Sequence, residues 1–493
     1  MSLFSIVHSF GSDELNFASG ITDLELCQID NQWILYTYST ETGSLTALSL
    51  ERNKVASLLD QNSNPWNGTT VGYTDITIID MPQTALILPE SSLFETVSAQ
   101  QLDASGLFQS TSASPALPDS LEHVLAMSIA SENGTYFLYS SNSDTGKING
   151  YIINDDLTFD ALSLDIPLLQ TPTTLLKTGR DGDLLYLFAA GSDTPEITTY
   201  VVAEDGTLDF FGALSAEDGL WANTLTTLEV VKMDGNLFLF AGASGSSSIT
   251  VIKQKNSGTL EVVDHVFDTL NTRYNDLSSM ELVRKKGHTY LFTAGSDDGI
   301  TVYEVTSDGR MFYMESLVDT SETGLGNITD LGAVKIGGDI QIFATGQDGV
   351  LTQIDFNPGD IRQPKRGDNT DNVIKGNKKD DLLLGRGGDD KITGGKGNDR
   401  LVDGYGKDRL KGGSDADSFV LIQDGRSDTI VDFDPKEDLI DLSDVTFLYR
   451  FEDLSIKEKS WGIKIKYNDE VLRLLTSDPD MINDITEDVF LFA

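Results

Sequence analysis

The sequence has one cysteine, Cys27, and four histidines among its 493 residues. A single cysteine excludes an intrachain disulfide, a common stabiliser of secreted proteins, and we expect Cys27 to be a small core residue. Basic residues are also few, because 35 Lys and Arg stand against 78 Asp and Glu, for a formal net charge of -43. This imbalance predicts no nucleic acid or anionic membrane as a partner, since phosphate binding needs clustered Lys and Arg.

Targeting segments and common catalytic motifs are missing as well. The N-terminus, MSLFSIVHSFGSDE, has neither the basic region nor the apolar run of a secretory signal peptide. No apolar segment is long enough to span a bilayer, which predicts no membrane insertion. The sequence also lacks a GxSxG nucleophile elbow, a P-loop and a cluster of zinc ligands. Two internal repeats are what the sequence offers instead.

The first repeat has a period of nine residues and covers Gly367–Val420. Its rows are GDNTDNVIK, GNKKDDLLL, GRGGDDKIT, GGKGNDRLV, DGYGKDRLK and GGSDADSFV. Position eight is apolar in every row, which a flexible glycine-rich linker does not explain. Position six is Asn372 in the first row and then acidic, at Asp381, Asp390, Asp399, Asp408 and Asp417.

This spacing suits a calcium site. Calcium takes six to eight oxygen ligands, aspartate supplies anionic oxygens, and glycine at positive φ turns backbone carbonyls inward. The apolar residue begins a short strand that faces a narrow core. A glycine-aspartate nonapeptide of this kind is typical of calcium-binding parallel β-helices.

The block resembles the calcium β-roll of RTX proteins, and Ser418–Val445 resembles the segment that closes the roll in serralysin-type proteases. The chain has no HExxH, so the zinc site and protease activity of that family are not expected. Glu487–Ala493, acidic and then hydrophobic, looks like a type I secretion signal. The resemblance implies a secreted, extracellular protein that a Gram-negative type I machinery exports without an N-terminal signal peptide.

The resemblance also implies a ligand set. Each Ca2+ lies between turns two rows apart, held by position-six aspartates and by carbonyls near positions one to four, which allows about four ions. Rows one and two depart from the pattern at Asn372 and Lys378-Lys379, so their ion is expected to be the weakest or absent. The implied metal-binding residues are Asp381, Gly385, Gly387, Asp390, Gly394, Gly395, Lys396, Gly397, Asp399, Gly404, Gly406, Asp408, Gly413, Asp415, Asp417 and, in the segment after the roll, Asp428.

The second repeat, with a period of about 51 residues, fills residues 1–357. Each copy of a short motif precedes an apolar run, an alternating strand, a turn such as Asp205-Gly206 and another strand. Alternation around Asp-Gly predicts a two-residue hairpin, and four strands per unit in seven units predict a seven-bladed β-propeller. Leu3–Phe10 is expected to complete the last blade. The third positions of the motif are Asp23, Asp75, His123, Thr174, Thr227, Ser279 and Asp330.

The predicted fold class is therefore all-β. We expect a seven-bladed β-propeller at 1–357, a linker at 358–366, the RTX calcium β-roll at 367–422, and a C-terminal β cap with the secretion signal at 423–493. Within the cap, Trp461–Tyr467 and Glu470–Leu475 predict a hairpin around Asn468-Asp469.

The motif opens the first strand of each blade, which lines the central channel of a propeller. Asp23, Asp75 and Asp330 are then expected at one mouth of the channel, with His123 beside Asp75. Two interpretations stay open. Either these side chains bond the backbone from blade to blade, which we favour because the motif recurs in every blade, or they hold a metal or act as general acid and base.

The blades, of the type YLFAAGSD…ITVYEV…DGTL, resemble lactonase-type seven-bladed propellers, whose catalytic residues cannot be placed here one by one. Our main hypothesis is a secreted calcium-binding protein whose β-roll folds on calcium after type I export, and whose propeller binds an unknown extracellular ligand. The alternative is an extracellular lactonase-type hydrolase with its site in the channel. Its candidate catalytic residues are His123, Asp75, Asp23, Asp330 and Arg273.

Overall fold

The computed structural model describes the chain except residues 1, 12–13, 16–19, 64–74, 83, 91–98, 111–116, 119–120, 122, 143–144, 167–172, 193–194, 256–257, 321–322, 348, 360, 444, 446–447, 477–478 and 493. It forms two compact units: Met1–Arg284 with Thr289–Asn357, and Pro358–Ala493 with Lys285–His288. The described residues contain strands and short 3-10 turns but no α-helix. None of their helical segments has the length and apolar character needed to cross a bilayer.

The first unit is a seven-bladed β-propeller, as predicted. Each blade is one antiparallel sheet, and the strands are numbered along the chain. Blade one has β2 (Ile21–Ile29), β3 (Gln32–Ser39), β4 (Ser44–Leu50) and β5 (Ser57–Asn62); blade two has β6 (Asp75–Met81), β7 (Thr84–Glu90) and β8 (Gln100–Leu102); blade three has β9 (Val124–Glu132), β10 (Thr135–Asn142), β11 (Ile148–Ile153) and β12 (Phe159–Ala161); blade four has β13 (Thr173–Asp181), β14 (Leu184–Gly191), β15 (Glu196–Val202) and β16 (Leu208–Ser215).

The remaining blades follow the same order. Blade five has β17 (Leu225–Met233), β18 (Asn236–Ala243), β19 (Ser248–Gln254) and β20 (Leu260–Phe267); blade six has β21 (Ser279–Lys285), β22 (His288–Ala294), β23 (Gly299–Val305) and β24 (Met311–Val318); blade seven has β25 (Ile328–Ile336), β26 (Asp339–Gly346), β27 (Leu351–Phe356) and, from the start of the chain, β1 (Phe4–Phe10).

The N-terminal strand completes blade seven, which confirms the predicted role of Leu3–Phe10. β1 pairs antiparallel with β27, with Phe4 opposite Phe356. Since β27 follows β26 and β25, the last blade combines both ends of the propeller sequence. The arrangement covers the outer edge of β27 and ties the ring closed.

The propeller core lies in layers between neighbouring blades. One layer joins blades one and two through Ile34, Ile76 and Ile87, and it includes the buried Cys27. Other layers join blades two and three, three and four, four and five, five and six, and seven and one. Each strand run is therefore apolar on both faces, because each blade packs against two neighbours.

The outer hairpins are one residue longer than predicted. In blade four the Ala203 N–H bonds the Thr207 carbonyl and the Gly206 N–H bonds the Ala203 carbonyl, so the loop has three residues, 204–206. Gly206 has φ of 82°, which a glycine adopts without strain. Asp-Gly here forms a tight turn followed by a glycine bulge, a loop that shares its sequence signature with the two-residue hairpin.

The second unit contains a parallel β-solenoid. One sheet has β28 (Lys365–Arg366), β30 (Leu382–Leu384), β32 (Arg400–Val402), β34 (Ser418–Val420), β36 (Leu439–Asp441) and β40 (Phe490–Leu491). The other has β29 (Val373–Lys375), β31 (Lys391–Lys396), β33 (Arg409–Ser414), β35 (Ser427–Ile430), β39 (Glu470–Leu475), β38 (Gly462–Tyr467) and β37 (Ser455–Lys459). The even-numbered strands from β28 to β36 pair in parallel with one another, and so do the odd-numbered strands from β29 to β35. Successive rows therefore alternate between the two sheets.

The apolar residue of each row forms the solenoid core, as expected. Ile374, Leu383, Ile392, Leu401, Leu410 and Phe419 are buried in one cluster. That cluster continues into the C-terminal segment through Leu472, Leu474 and Phe490. The predicted hairpin is also confirmed, because Tyr467 of β38 pairs with Glu470 of β39 across Asn468-Asp469.

We expect Phe4 to be needed for propeller stability. Its buried ring contacts Phe356 and Phe292, with centroids 5.4 and 6.5 Å away. Phe4→Ala is predicted to lower the free energy of unfolding by about 3–5 kcal/mol, because it leaves a cavity in blade seven, where the propeller closes. Urea denaturation at constant calcium measures the change. Ile6→Ala, on the same strand but 37% exposed, is the control and is expected to cost about 1 kcal/mol or less. An equal loss of unfolding free energy in the two variants would contradict a role for the buried Phe4 side chain in closing the propeller.

Candidate functional site

The position-six aspartates of the solenoid form two ladders, one on each side. Oδ1 of Asp390, Asp399, Asp408 and Asp417 each accepts a hydrogen bond from the position-six N–H of the row 18 residues earlier, at 2.7–2.9 Å. One ladder contains Asn372, Asp390 and Asp408, and continues to Asp428. The other contains Asp381, Asp399 and Asp417, and continues to Asp438. Asp438 was not singled out from the sequence, because the nonapeptide period ends before it.

The second oxygen of several of these carboxylates is without a protein partner. Oδ2 of Asp390, Asp399 and Asp408 is buried and accepts no hydrogen bond. A buried carboxylate oxygen without a donor carries a large desolvation cost, so a cation ligand fits these positions. All-oxygen, anionic surroundings are what calcium takes in proteins.

Burial also raises the pKa of these groups. The pKa of Asp390 is raised to about 6, that of Asp399 to about 7, and those of Asp408 and Asp417 to about 8. Desolvation is the main cause in each case, and neighbouring aspartates add to it. The ladders therefore bring together acidic groups whose ionised form is unfavourable in the folded protein.

The first turns differ from the later ones in how their carboxylates are engaged. Asp381 accepts hydrogen bonds from the Asn377 N–H and side-chain amide, and Lys365 Nζ lies 3.8 Å from its Oδ1. Asn372 bonds back to Asp368 within its own row. Side chains of the protein thus occupy oxygens that stay free further along the ladders.

The position-five side chains form further ladders, which sequence reasoning missed. At position five, Oδ1 of Asp371, Asp380 and Asp389 accepts the N–H of the position-five residue 18 residues later. The Asn398 side chain does the same for Ala416. The signal was present in the rows, where position five is Asp or Asn in the first four. These side chains hold consecutive loops together.

Five of the six rows begin with a glycine for a local reason. A Cβ at Gly376 or Gly385 would clash with the backbone carbonyl oxygen 18 residues later, and would lie 2.9 or 2.8 Å from Oδ2 of that row's own aspartate, Asp381 or Asp390. The row-opening position therefore packs against the next turn of the same sheet and against its own row's carboxylate. Only a residue without a side chain fits there without a shift of these atoms.

The other turn residues implied by the resemblance lie in the loops and at the strand ends. Asp415 is exposed, and its Oδ2 accepts the Gly397 N–H. Lys396 ends β31, and its N–H donates to the Asn377 carbonyl. Left-handed φ values occur at Gly395, Gly397, Gly404, Gly406 and Gly413, but not at Gly385, Gly387 or Gly394.

In the propeller, the motif side chains join neighbouring blades around the channel. Asp330 Oδ2 accepts the Leu24 N–H, and Asp23 Oδ2 accepts the Ile76 N–H, each at 2.8 Å. The Ser279 hydroxyl accepts the Leu331 N–H and donates to Asp330 Oδ1. These contacts support the architectural interpretation of the motif, in which one blade caps the first strand of the next.

Blades three and four depart from the predicted register. Asp23 pairs with Tyr38 just after a bulge in β2, and the residue at that register in β9 is Ala126, opposite Ser141. His123 precedes β9, so strand pairing gives the register of Asp23 to Ala126 rather than to His123, where the motif had placed it. In β13 the equivalent residue is Leu175 rather than Thr174. The short motif allows several alignments, and only strand pairing selects one.

Between blades two and three, Glu90 of β7 makes the contact that was predicted for the third-position side chain of the motif. Its Oε1 accepts the Met127 N–H of blade three and the Thr77 hydroxyl. Asp75 remains exposed but lies near Asp23 and Asp330, as expected for an acidic arc, and it contributes to the raised pKa of both. Desolvation is the larger cause, and the pKa of Asp330 is raised to about 7.

Arg273 lies in the segment before β21, away from the register of these acids. Its Nη1 is 3.7 Å from Asp297 Oδ2 and donates to the Thr272 carbonyl. Its backbone N–H donates to Thr301 of β23. The described contacts of Arg273 thus tie a loop to blade six.

A ring of charged side chains was not predicted. It lies two residues after the register of Asp23 in each first strand. It includes Glu25, Lys177, Glu229 and Glu281, with Thr77, Ser128 and Gly332 at the same register in other blades. Lys177 Nζ lies 2.5 Å from Glu229 Oε1. The signal that would have found this ring is a charged residue inside an otherwise apolar first strand.

These charges interact strongly. Burial raises the pKa of Glu25 to about 8, with Asp75 adding to the shift and Lys177 opposing it. Burial alone would lower the pKa of Lys177, but Glu229, Glu281 and Glu25 raise it overall. Lys177 thus interacts with Glu25 and Glu281, whose pKa values burial has raised.

This arrangement predicts a pH-dependent stability of the propeller. Because the folded pKa of Glu25 is raised, the folded state holds a proton that the unfolded state releases. The free energy of unfolding then falls as the pH rises from about 4.5 to 8, by up to about 1.4 kcal/mol per pH unit for each such proton. We expect Glu25→Gln to flatten this dependence in urea denaturation at constant calcium. Glu204→Gln, in an exposed turn, is the control; a wild-type slope for Glu25→Gln would contradict the assignment.

Comparison with known proteins gives one family match. The model of the RTX calcium-binding nonapeptide repeat matches residues 366–401 and 393–420. The curated proteins give no match. Among solved structures, a protein from Lactobacillus plantarum determined by a structural genomics consortium is 16% identical, over 63% of this chain and 87% of that one, with a TM-score of 0.41. Residues 366–420 are therefore RTX calcium-binding nonapeptide repeats in a parallel β-solenoid, and a seven-bladed β-propeller precedes them in the chain.

Proposed function

We propose that this chain is a secreted protein whose β-roll completes its folding on calcium outside the cell. The observation that carries the proposal is the set of buried Oδ2 atoms at Asp390, Asp399 and Asp408, which have no protein donor. Such carboxylates repel one another in a compact state, so the solenoid is destabilised when no cation is bound. Bound calcium supplies positive charge and coordination, and binding to the folded state alone adds its free energy to folding.

The ligand residues follow from the ladders. Within the rows, neighbouring position-six residues on one side are Asn372 with Asp390 and Asp390 with Asp408; on the other side they are Asp381 with Asp399 and Asp399 with Asp417. We propose one ion in each of these four gaps. The gaps next to Asn372 and Asp381 belong to the first two rows, where side chains of the protein already engage the oxygens. Their ions are proposed to be the weakest.

Export by a type I machinery is the proposed route. The acidic and hydrophobic C-terminal segment supports it, and so does the way this segment is built into the fold. Val489 and Phe490 are buried in the solenoid core, and β40 pairs with β36. Val489 and Phe490 are accessible only while the solenoid is unfolded, the state that we propose low intracellular calcium maintains.

For the propeller we propose a role as a binding module for an extracellular ligand. The motif side chains are engaged in contacts between blades, which supports an architectural role for them. Exposed aromatic side chains support a surface contact, since Trp221 is 70% exposed and lies beside His265, which packs on Phe267. The hydrolase alternative relied on His123 beside Asp75, and the register of blade three does not favour it.

We expect Asp390→Asn to weaken calcium binding and the adjacent Asp389→Asn to leave it almost unchanged. Both variants remove one charge from the same row and keep an Oδ1 acceptor, but only Asp390 has a buried oxygen without a donor. Loss of one carboxylate ligand is predicted to raise the calcium concentration at half-maximal folding by about tenfold, against about twofold or less for Asp389→Asn.

Calcium titration followed by circular dichroism and calorimetry measures both effects. Chelation of calcium is expected to remove the solenoid's β signal in the wild type. Equal shifts for the two variants would contradict the ligand assignment. A wild-type protein that gains no β structure on calcium addition would contradict the proposed function itself.

A further inference from the structure

We propose that Asp403, Asp408 and Asp428 hold a further calcium ion at a site that the nonapeptide pattern does not specify, and that Glu470 joins the C-terminal hairpin to this site. The inference rests on the proposed calcium-dependent folding and extends it to the segment after the roll. It assigns metal-binding roles to Asp403 and Glu470, which lie outside the position-six ladders.

Asp403 departs from the repeat at its most restricted position. It opens row five, where rows two, three, four and six have glycine, at Gly376, Gly385, Gly394 and Gly412. At Gly376 and Gly385 a Cβ would meet the backbone carbonyl 18 residues later and, at 2.9 and 2.8 Å, Oδ2 of the same row's aspartate. In row five, Asp403 brings a carboxylate to this crowded position, and one of its oxygens lies within 4.8 Å of a carboxylate oxygen of Asp408.

The three aspartates converge with the spacing of ligands to one ion. Each offers a carboxylate oxygen, and these oxygens lie within 4.8 Å of one another. Calcium–oxygen bonds of 2.3–2.6 Å separate two ligands of one ion by at most about 5 Å. The side chains of Asp403, Asp408 and Asp428 are 0%, 2% and 4% exposed. The convergence is thus interior rather than a cluster of surface charges.

The hydrogen bonds leave oxygens free at this point. Asp403 Oδ1 accepts the N–H groups of Gly404 and Ile422, whereas its Oδ2 has no donor. Asp408 Oδ1 accepts the Asp390 N–H, and its Oδ2 also has no donor. Two buried oxygens without donors, on carboxylates that converge, are the feature that a cation would satisfy.

Glu470 brings a fourth carboxylate from a distant part of the chain. It begins β39, which runs parallel to β35 with Leu472 opposite Asp428. Its Oε1 accepts the N–H groups of Asp424 and Gly425, and its Oε2 is buried without a donor. Glu470 is 1% exposed and contributes to the electrostatic environment of Asp428. The hairpin thus adds negative charge at the last turn of the solenoid.

Among the residues that the structure describes, no Lys or Arg side chain forms an ion pair with any of these four carboxylates. Three buried carboxylates whose oxygens lie within 4.8 Å of one another, with Glu470 near Asp428, are too costly to remain ionised without a cation. Hard, anionic oxygen ligands without nitrogen or sulfur select calcium over transition metals.

The test is Asp403→Gly, which restores the repeat's own glycine. If Asp403 binds the ion, this variant is expected to bind one calcium ion at least tenfold more weakly, despite matching the repeat better. Asp403→Asn keeps the side chain's size and is expected to behave likewise. Asp389→Asn controls for the loss of one charge. Calorimetry and native mass spectrometry of the full chain measure affinity and the number of ions.

Glu470 is tested through the hairpin it begins. Hydrogen exchange of residues 462–475 and 391–414 is followed against calcium concentration. Glu470→Gln is expected to shift protection of 462–475 to at least fivefold higher calcium while 391–414 keeps its wild-type midpoint. Wild-type calcium binding and hairpin protection in Asp403→Gly and Glu470→Gln would overturn the inference. Absence of calcium-dependent protection of 391–414 in the wild type would instead overturn the proposed function.

Discussion

The solenoid depends on one interaction, the hydrogen bond from a backbone N–H to one oxygen of a buried aspartate carboxylate. Oδ1 of Asp390, Asp399, Asp408 and Asp417 accepts an N–H from the row 18 residues earlier, so these acids hold the turns in register. Burying Asp390, Asp399 and Asp408 costs free energy, because their second oxygens lack donors. The same side chains thus build the fold and, as we propose, make it dependent on a cation.

The propeller has the same kind of carboxylate-to-backbone hydrogen bond, but we do not propose that its carboxylates need a cation. Asp23 and Asp330 accept N–H groups from the next blade, as the ladder aspartates do from the next row. Burial raises the pKa of carboxyl groups in both units, and in the channel Lys177 provides a nearby positive charge. The propeller is therefore expected to respond to pH. The solenoid, whose carboxylates keep buried oxygens without donors, is expected to respond to calcium as well.

Much of this architecture was predictable from the sequence. The nine-residue period identifies the solenoid and its core, because each row repeats one apolar residue at position eight. The longer period identifies the blades, and the spare strand at the N-terminus follows from an incomplete last unit. Predictions failed where register mattered. His123 and Thr174 were aligned by motif letters, whereas the bulges in β9 and β13 place Ala126 and Leu175 in the ring.

Composition and period, then, determine by themselves the fold class, the two repeat systems and the residue type that binds calcium. These are local properties that recur along the chain. Only the tertiary structure decides which oxygens remain free, because that depends on donors 18 or more residues away. It also decides that Asp403, at a position meant for glycine, meets Asp408 and Asp428, and that the charged ring of Glu25, Lys177, Glu229 and Glu281 lines the channel. Convergence of distant residues in space has no periodic signature in the sequence.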